Sequence, residues 1–179
     1  SFNQLGRVSV DQTVTVQSGV DKAGTLAYSI TTESNKSAQG YGKNGQLIHS
    51  KEVVVSSDRP DVTMTTLWNG GVFNGNNQLT SYEEAKTESN PAGTNQTLTQ
   101  RSGITFDLKG RNTGYHNVFS GSADKITETL DWTAEGFTSA GQATGIDEVR
   151  HRKSGDSSSP YDVTTAVRKT GMAYDLSGN

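Results

Sequence analysis

Arg7-Val8-Ser9-Val10-Asp11-Gln12-Thr13-Val14-Thr15-Val16-Gln17 puts Val8, Val10, Val14 and Val16 on one face of an extended chain and Ser9, Asp11, Thr13 and Thr15 on the other. A period of two is the pattern of a β-strand with one buried face. Valine and threonine branch at Cβ and lose side-chain freedom in a helix, so the composition of the stretch agrees with its period. The rest of the chain is expected to pair, directly or in succession, with strands of this kind.

Working outward, Ser18-Gly19 and Asp21 to Gly24 supply turn residues, and Leu26, Tyr28 and Ile30 resume the alternation as a hairpin. Glu33 to Gln39 is polar and lacks a period, and Asn44-Gly45 predicts a type I′ turn that sends Leu47 to Val55 back antiparallel. The apolar run Val53-Val54-Val55 predicts cover on both faces. Asp58-Arg59-Pro60-Asp61 reads as a turn, and Val62 to Leu67 alternates again before Trp68. The glycines between Asn69 and Asn77 predict a wide loop or a tight corner. Leu79 to Thr87 reads as a strand, although Ser81-Tyr82-Glu83-Glu84 has the form of a helix capping box.

The second half continues through Gln96–Arg101, Ile104–Leu108, Tyr115–Phe119, Ile126–Trp132, Gly136–Ala143, Ile146–Arg152, Tyr161–Val167 and Met172–Leu176. Between them stand turns at Ser102-Gly103, Lys109 to Gly114, Gly121 to Asp124, Gly141 to Gly145, Ser154 to Pro160 and Gly171. About twelve short strands predict one all-β domain over residues 1–179, with antiparallel, hairpin-connected strands in layered sheets able to extend between subunits. No exact internal repeat is visible, and the regular alternation leaves room for a degenerate one.

Hydrophobic residues make up 30% of the 179 residues and aromatic residues 7%, which predicts a thin core. Burial completed against copies of the same chain is one way to satisfy it. Sixteen basic and nineteen acidic residues, mixed along the chain, give no basic footprint for nucleic acid or an anionic membrane. No apolar run reaches the length of a spanning helix, so membrane insertion is not expected. The absence of cysteine excludes disulfides, thiol catalysis and thiolate metal sites. Ser1 in place of Met fits removal of a signal peptide, and equally a chain shortened at that point. Asn35-Lys36-Ser37 and Asn95-Gln96-Thr97 are glycan acceptor patterns in polar, turn-like stretches, which makes Asn35 and Asn95 candidate glycosylation sites.

Catalytic signals are sparse. His49, His116 and His151 stand in separate strands without metal-ligand spacing, and no Gly-x-Ser-x-Gly elbow occurs. Glu83, Glu128, Asp131, Glu135, Asp147 and Glu148 are nominal candidates for a glycosidase carboxylate pair, explained more simply as solvent-facing strand residues. No calcium-loop pattern occurs, and no cofactor is expected. Among Tyr41, Trp68, Tyr115, Trp132 and Tyr161, a sugar-stacking platform would use Trp68, Trp132 and Tyr115, while the plainer reading puts the aromatics in the core. Arg150-His151-Arg152-Lys153 suits an exposed sheet edge guarded by charge.

Val8-Ser9-Val10-Asp11-Gln12-Thr13-Val14, Leu130-Asp131-Trp132-Thr133-Ala134-Glu135-Gly136 and the Gly171 to Leu176 stretch give the chain a style that resembles the amyloid-like cell-sheath proteins of methanogenic archaea. The resemblance implies a secreted, β-rich subunit stacked laterally into hoops that form a resistant tube, and it carries over no catalytic residue. The expected function is therefore a self-assembling structural subunit of an extracellular sheath or surface layer, not an enzyme, whose partners are copies of itself. The alternative is a secreted β-sandwich adhesin or carbohydrate-binding module that takes glycans.

Overall fold

A computed structural model describes the chain except residues 21, 23–25, 124 and 175–179, with backbone alone at 26–28 and 38. Ten strands are named among the described residues: β1 (Asp11–Val20), β2 (Leu26–Tyr41), β3 (Leu47–Ser56), β4 (Arg59–Phe73), β5 (Leu79–Asn90), β6 (Gly93–Phe106), β7 (Asn112–Gly121), β8 (Ile126–Phe137), β9 (Ala143–Ser154) and β10 (Asp162–Lys169). They are all-β and hairpin-connected, as the alternation predicts, and form one open antiparallel sheet in chain order from β1 to β10. Two compact units divide the chain: Ser1–Gly70 with Glu84–Gln96, and Gly71–Glu83 with Thr97–Asn179.

In the first unit Val14 lies opposite Glu33, Glu33 opposite Val55, and Val55 opposite Thr63, so one face carries Val14, Val16, Val53, Val55 and Leu67. The other face carries Asp11, Thr13, Thr15, Val54, Met64 and Trp68. Val62, 8% exposed, and Ser50, 7% exposed, are buried. In the second unit Tyr115 lies opposite Trp132 and Trp132 opposite Glu148, which gathers Arg101, Tyr115, Asn117, Phe119, Leu130, Trp132 and Ile146 on one face. His116, Val118, Asp131, Thr133, Val149 and His151 share the opposite face. Ile104 is buried in this unit, and no described side chain is fully buried in either. The thin core predicted from composition is what the chain has.

Four turns are the same object as the one that precedes β1. In each, the first residue's N–H donates to the fifth residue's carbonyl and the fourth N–H donates to the first carbonyl. The five are Asn3–Arg7, Gly42–Gln46, Asn74–Gln78, Asp107–Arg111 and Thr138–Gln142, with the first bond at 2.7 to 3.0 Å and the second at 3.0 Å in each. The fourth residue is always left-handed: Gly6, Gly45, Asn77, Gly110 and Gly141 have φ of 72, 89, 66, 80 and 88°. This is the three-residue hairpin loop, a type I turn closed by a left-handed residue that forms a bulge. In four of the five the first side chain secures it: Asn3, Asn74 and Asp107 each accept two backbone N–H groups through Oδ1, and Thr138 Oγ1 accepts Gln142 N–H.

An aromatic residue precedes every one of these turns, and arginine or glutamine closes it: Phe2 to Arg7, Tyr41 to Gln46, Phe73 to Gln78, Phe106 to Arg111 and Phe137 to Gln142. The pattern is aromatic-x-x-x-(Gly/Asn)-(Arg/Gln), once before β1 and then at every second strand connection, after β2, β4, β6 and β8. The letters of Tyr174-Asp175-Leu176-Ser177-Gly178-Asn179 repeat most of it. A degenerate internal repeat therefore exists. It is fixed by turn chemistry, while the strand residues between turns are free to vary.

Several local expectations are corrected by this arrangement. The face of Val8, Val10, Val14 and Val16 is not buried: Val14 and Val16 are 54% and 61% exposed, because β1 is the first strand of the sheet and nothing covers its valines. Arg7 to Val10 precedes the strand and belongs to a turn and a Phe2–Val8 bridge. Asn44-Gly45 forms no type I′ turn, since only Gly45 takes positive φ. Glu33 to Gln39 continues β2, with Glu33 to Lys36 paired to both β1 and β3 and Ser37 to β3. Val55 is exposed, so the valine triplet lacks cover on both faces. Arg59 to Asp61 opens β4, with the turn at Ser57 and Asp58, and β4 runs through the glycines to Phe73. Ser102-Gly103 is an irregularity within β6, where Gly103 takes φ 60°, and no turn separates two strands there. Met172 to Tyr174 is not strand. The turn expected over Asp21 to Gly24 falls mostly outside the described residues, as do Asp124 and the end of the strand expected over Met172 to Leu176.

Candidate functional site

In three of the turns the closing side chain lies on the next turn. Arg7 Nη1 donates to the Gly42 carbonyl at 3.1 Å, and its guanidinium stands 5.6 Å from the Tyr41 ring centroid. Arg111 repeats the arrangement in the second unit, donating to the Thr138 carbonyl at 3.2 Å with its guanidinium 4.4 Å from the Phe137 ring. A Cβ built on Gly110 would lie 3.1 Å from Gln78 Nε2, so the Asn74–Gln78 turn leans on its neighbour in the same way. Where the aromatic is tyrosine, its hydroxyl adds a bond backward: Tyr41 to the Val8 carbonyl and Tyr174 to the Ala143 carbonyl, both at 2.6 Å. Val8 and Ala143 each directly follow a turn, so the two bonds are equivalent.

Charge within these turns is fixed as well. The Arg111 side chain, bonded to the Asp107 carboxylate, and then the Arg111 backbone N–H hold the Asp107 carboxyl below its ordinary value. The Ser158 hydroxyl and N–H do the same for Asp156 in the loop before β10.

The six candidate carboxylates are all engaged. Glu128 lies between Arg150 and Arg152, at 3.2 and 3.0 Å, and Glu148 meets Arg150 at 3.1 Å. Glu135 and Asp147 share Arg168, Asp131 accepts from His116 Nδ1 at 2.7 Å, and Glu83 accepts from Gln100 at 2.7 Å. These are cross-strand and same-strand pairs of a charged sheet surface. The three histidines are likewise dispersed: His49 meets Asn69 at 3.1 Å and His151 meets Asp162 at 2.5 Å. Among the described residues no three His, Asp or Glu side chains gather as metal ligands. The basic run Arg150–Lys153 is not at an edge, since β10 pairs along it, and its charges are balanced by Glu128, Glu148 and Asp162.

Tyr115 and Trp132 stack face to face, with centroids 5.3 Å apart and planes inclined by 18°. The Arg101 guanidinium lies 4.2 Å from the Tyr115 ring and 5.8 Å from that of Tyr82. Because β7 lies between β6 and β8, the Tyr115 ring has the guanidinium on one side and the indole on the other. Trp68 belongs to the first unit, opposite buried Ser50 on β3. Tyr161 is partly exposed, and its carbonyl accepts the Ser154 N–H at 3.0 Å. Asn35 and Asn95 are exposed, though in β2 and β6 and not in turn-like stretches.

The least satisfied parts of the molecule are the first and last strands. Among the described strands each is hydrogen-bonded to one neighbour. All eight residues of β10 are exposed, as are nine of the ten of β1, including Val14, Val16, Val163 and Val167.

No protein-family model, no curated protein and no solved structure matches the chain.

Sequence reasoning identified the valine strand and placed a turn or corner near four of the five repeated turns, at Asn44-Gly45, Asn69 to Asn77, Lys109 to Gly114 and Gly141 to Gly145, but missed the motif they share. The signal that finds them is an aromatic residue five positions before arginine or glutamine, with glycine or asparagine just before that closing residue.

Proposed function

We propose that this chain is a self-assembling structural subunit of an extracellular sheath or surface layer, polymerising through lateral pairing of its strand edges with copies of itself. The observation that carries the reading is the pair of terminal strands, each with one unpaired row of N–H and C=O groups and exposed valines. Such edges are templates for another strand, and monomeric proteins blunt them with bulges, prolines or inward charges. From Asp11 to Val20, β1 has neither proline nor lysine. Edge pairing also supplies cover for a sheet that has little core of its own, so assembly and burial are met by one contact. Function in this reading is mechanical and needs neither cofactor nor catalytic residue. The extracellular location rests on the sheath-like style of the sequence and on the exposed acceptor residues Asn35 and Asn95.

The alternative carbohydrate-binding reading has less support. A sugar needs a bare ring face, and Tyr115 already has Arg101 and Trp132 against its two faces.

Negative-stain imaging and light scattering of the purified chain at neutral pH test the proposal. Fibres, hoops or a ladder of oligomers are expected, and Val16→Lys, which charges an exposed β1 position, is expected to suppress them without loss of β-structure. A monodisperse monomer at tens of micromolar overturns it.

A further inference from the structure

We infer that the joint between copies is β10 of one chain against β1 of the next, antiparallel, with Lys169 opposite Thr13, Ala166 opposite Val16 and Asp162 opposite Val20. The inference rests on the edge-pairing reading above and specifies its partner strand and register.

The repeat supplies the register. In β2/β3, β6/β7 and β8/β9 the aromatic before each turn lies opposite the residue that follows it: Tyr41 with Leu47, Phe106 with Asn112 and Phe137 with Ala143. Phe2 and Val8 obey the same rule in an isolated bridge. All three strand pairs then show the same irregularity, with Gly40 opposite His49, Thr105 opposite Gly114 and Gly136 opposite Gly145, before regular pairing returns. Tyr174 is the aromatic that follows β10, and the residue after the turn that precedes β1 is Val8. Applying the rule across two copies places Tyr174 in line with Val8 and brings the eight residues of β10 opposite Thr13 to Val20. Phe2 already occupies the position at Val8, so the joint uses the strand residues alone.

Three further observations agree with this register. Strand direction alternates along the chain, so the last strand of one copy runs antiparallel to the first strand of another, as β8 runs to β9. Faces correspond too. Ile146 and Tyr115 stand eight residues after their turns begin, as do Asp11 and Ser50, and within each unit such positions share one face. Lys169 lies opposite Ile146, so pairing it with Thr13 joins the corresponding faces, whereas a one-residue slip would join opposite ones. Charge matches as well: Lys169 stands diagonal to Asp11, within reach of a long side chain.

The chain has no cysteine, so single cysteines report the joint directly. Ala166→Cys and Val16→Cys, both at exposed positions, are prepared separately, mixed and oxidised under conditions in which the unmodified chain polymerises. A disulfide-linked heterodimer is expected to exceed by at least ten-fold that from Ala166→Cys mixed with Gln17→Cys, the neighbouring register; Thr164→Cys with Ser18→Cys is a second in-register pair. Polymers by microscopy with no in-register cross-link, or with preference for the slipped pair, overturn the register and leave edge pairing standing. An intramolecular disulfide in the Val16→Cys/Ala166→Cys double variant also overturns the inference, because β10 would then meet its own β1. Absence of polymer from the unmodified chain defeats both proposals.

Discussion

Substituting Gly141 by alanine isolates the cost of one repeated turn. Gly141 holds φ at 88°, and a Cβ added there would meet only Arg111 Cδ, at 4.0 Å. Steric crowding beyond the residue itself is therefore small, and the penalty is that of placing an L-residue in the left-handed region, about 1–2 kcal/mol. Alanine also restricts the unfolded chain, which returns about 0.4–1 kcal/mol. The net loss expected is about 1 kcal/mol, a shift of roughly 0.5 M in a urea midpoint for a slope of about 2 kcal/mol/M. Gly141→Asn is expected to lose less than half as much, because asparagine tolerates the left-handed region and Asn77 already occupies the same place in its own turn at φ 66°. Equilibrium urea unfolding followed by tryptophan fluorescence measures both. Equal stability of Gly141→Ala and the parent, or alanine tolerated better than asparagine, would refute the claim that this turn requires its left-handed residue.

Arg111→Ala removes the bond to the Thr138 carbonyl and the contact with the Phe137 ring, and is expected to cost about 1–3 kcal/mol in the same unfolding measurement. Arg111→Lys keeps the charge but not the planar fork, and is expected to recover less than half. A double-mutant cycle on Tyr115 and Trp132, each replaced by leucine, is expected to give a coupling of about 0.5–1.5 kcal/mol, read by urea unfolding with far-ultraviolet circular dichroism. The depressed Asp107 carboxyl contributes stability that is fully present above its unfolded value of about 3.9 and is lost as pH falls through the lower folded value. Asp107→Asn is expected to flatten the loss of thermal stability below pH 4, with little change in slope near neutrality.

The strand pattern was legible because alternation is a local property. Each of β1, β3, β7, β9 and β10 was read within a few residues of its bounds, since valine, threonine and aromatic residues mark pleated chain wherever they alternate, whereas the strand expected over Gly136–Ala143 is the end of β8, the Thr138–Gln142 turn and the first residue of β9. Glu33 to Gln39 was not legible as strand because both of its faces are polar, and what marks it as strand is pairing: Glu33 to Lys36 lie between β1 and β3. Arg150 to Lys153 looked like an edge for a similar reason. Sequence reveals four positive side chains, whereas their balance comes from Glu128 on β8 and Asp162 on β10, which only pairing brings alongside. The turn repeat escaped notice because its positions call for chemistry and not identity: Asn3, Asn74, Asp107 and Thr138 all offer a side-chain oxygen to the same N–H groups.

A sheet built this way distributes its stability along the strand order. Neighbouring strands lean on one another through ladder bonds, and within the units Arg7, Gln78 and Arg111 lie on the next turn, while Val62 and Ile104 are the buried hydrophobic residues among those described. Stability then approximates a sum of nearest-neighbour terms, and the outermost elements, with one neighbour each, are the weakest. Backbone amides of β1 and β10 should therefore exchange with solvent faster than those of β3 and β8 in the dilute chain, with local opening at the ends well below the cost of global unfolding. Joining copies gives each terminal strand its second neighbour, so the same amides should become protected as concentration rises, in proportion to the assembled fraction. Protection gained at β1 and β10 alone fits assembly through the edges. Uniform slowing across all strands would instead mean that copies associate by their faces, and the exposed valines of β1 would then need a different explanation.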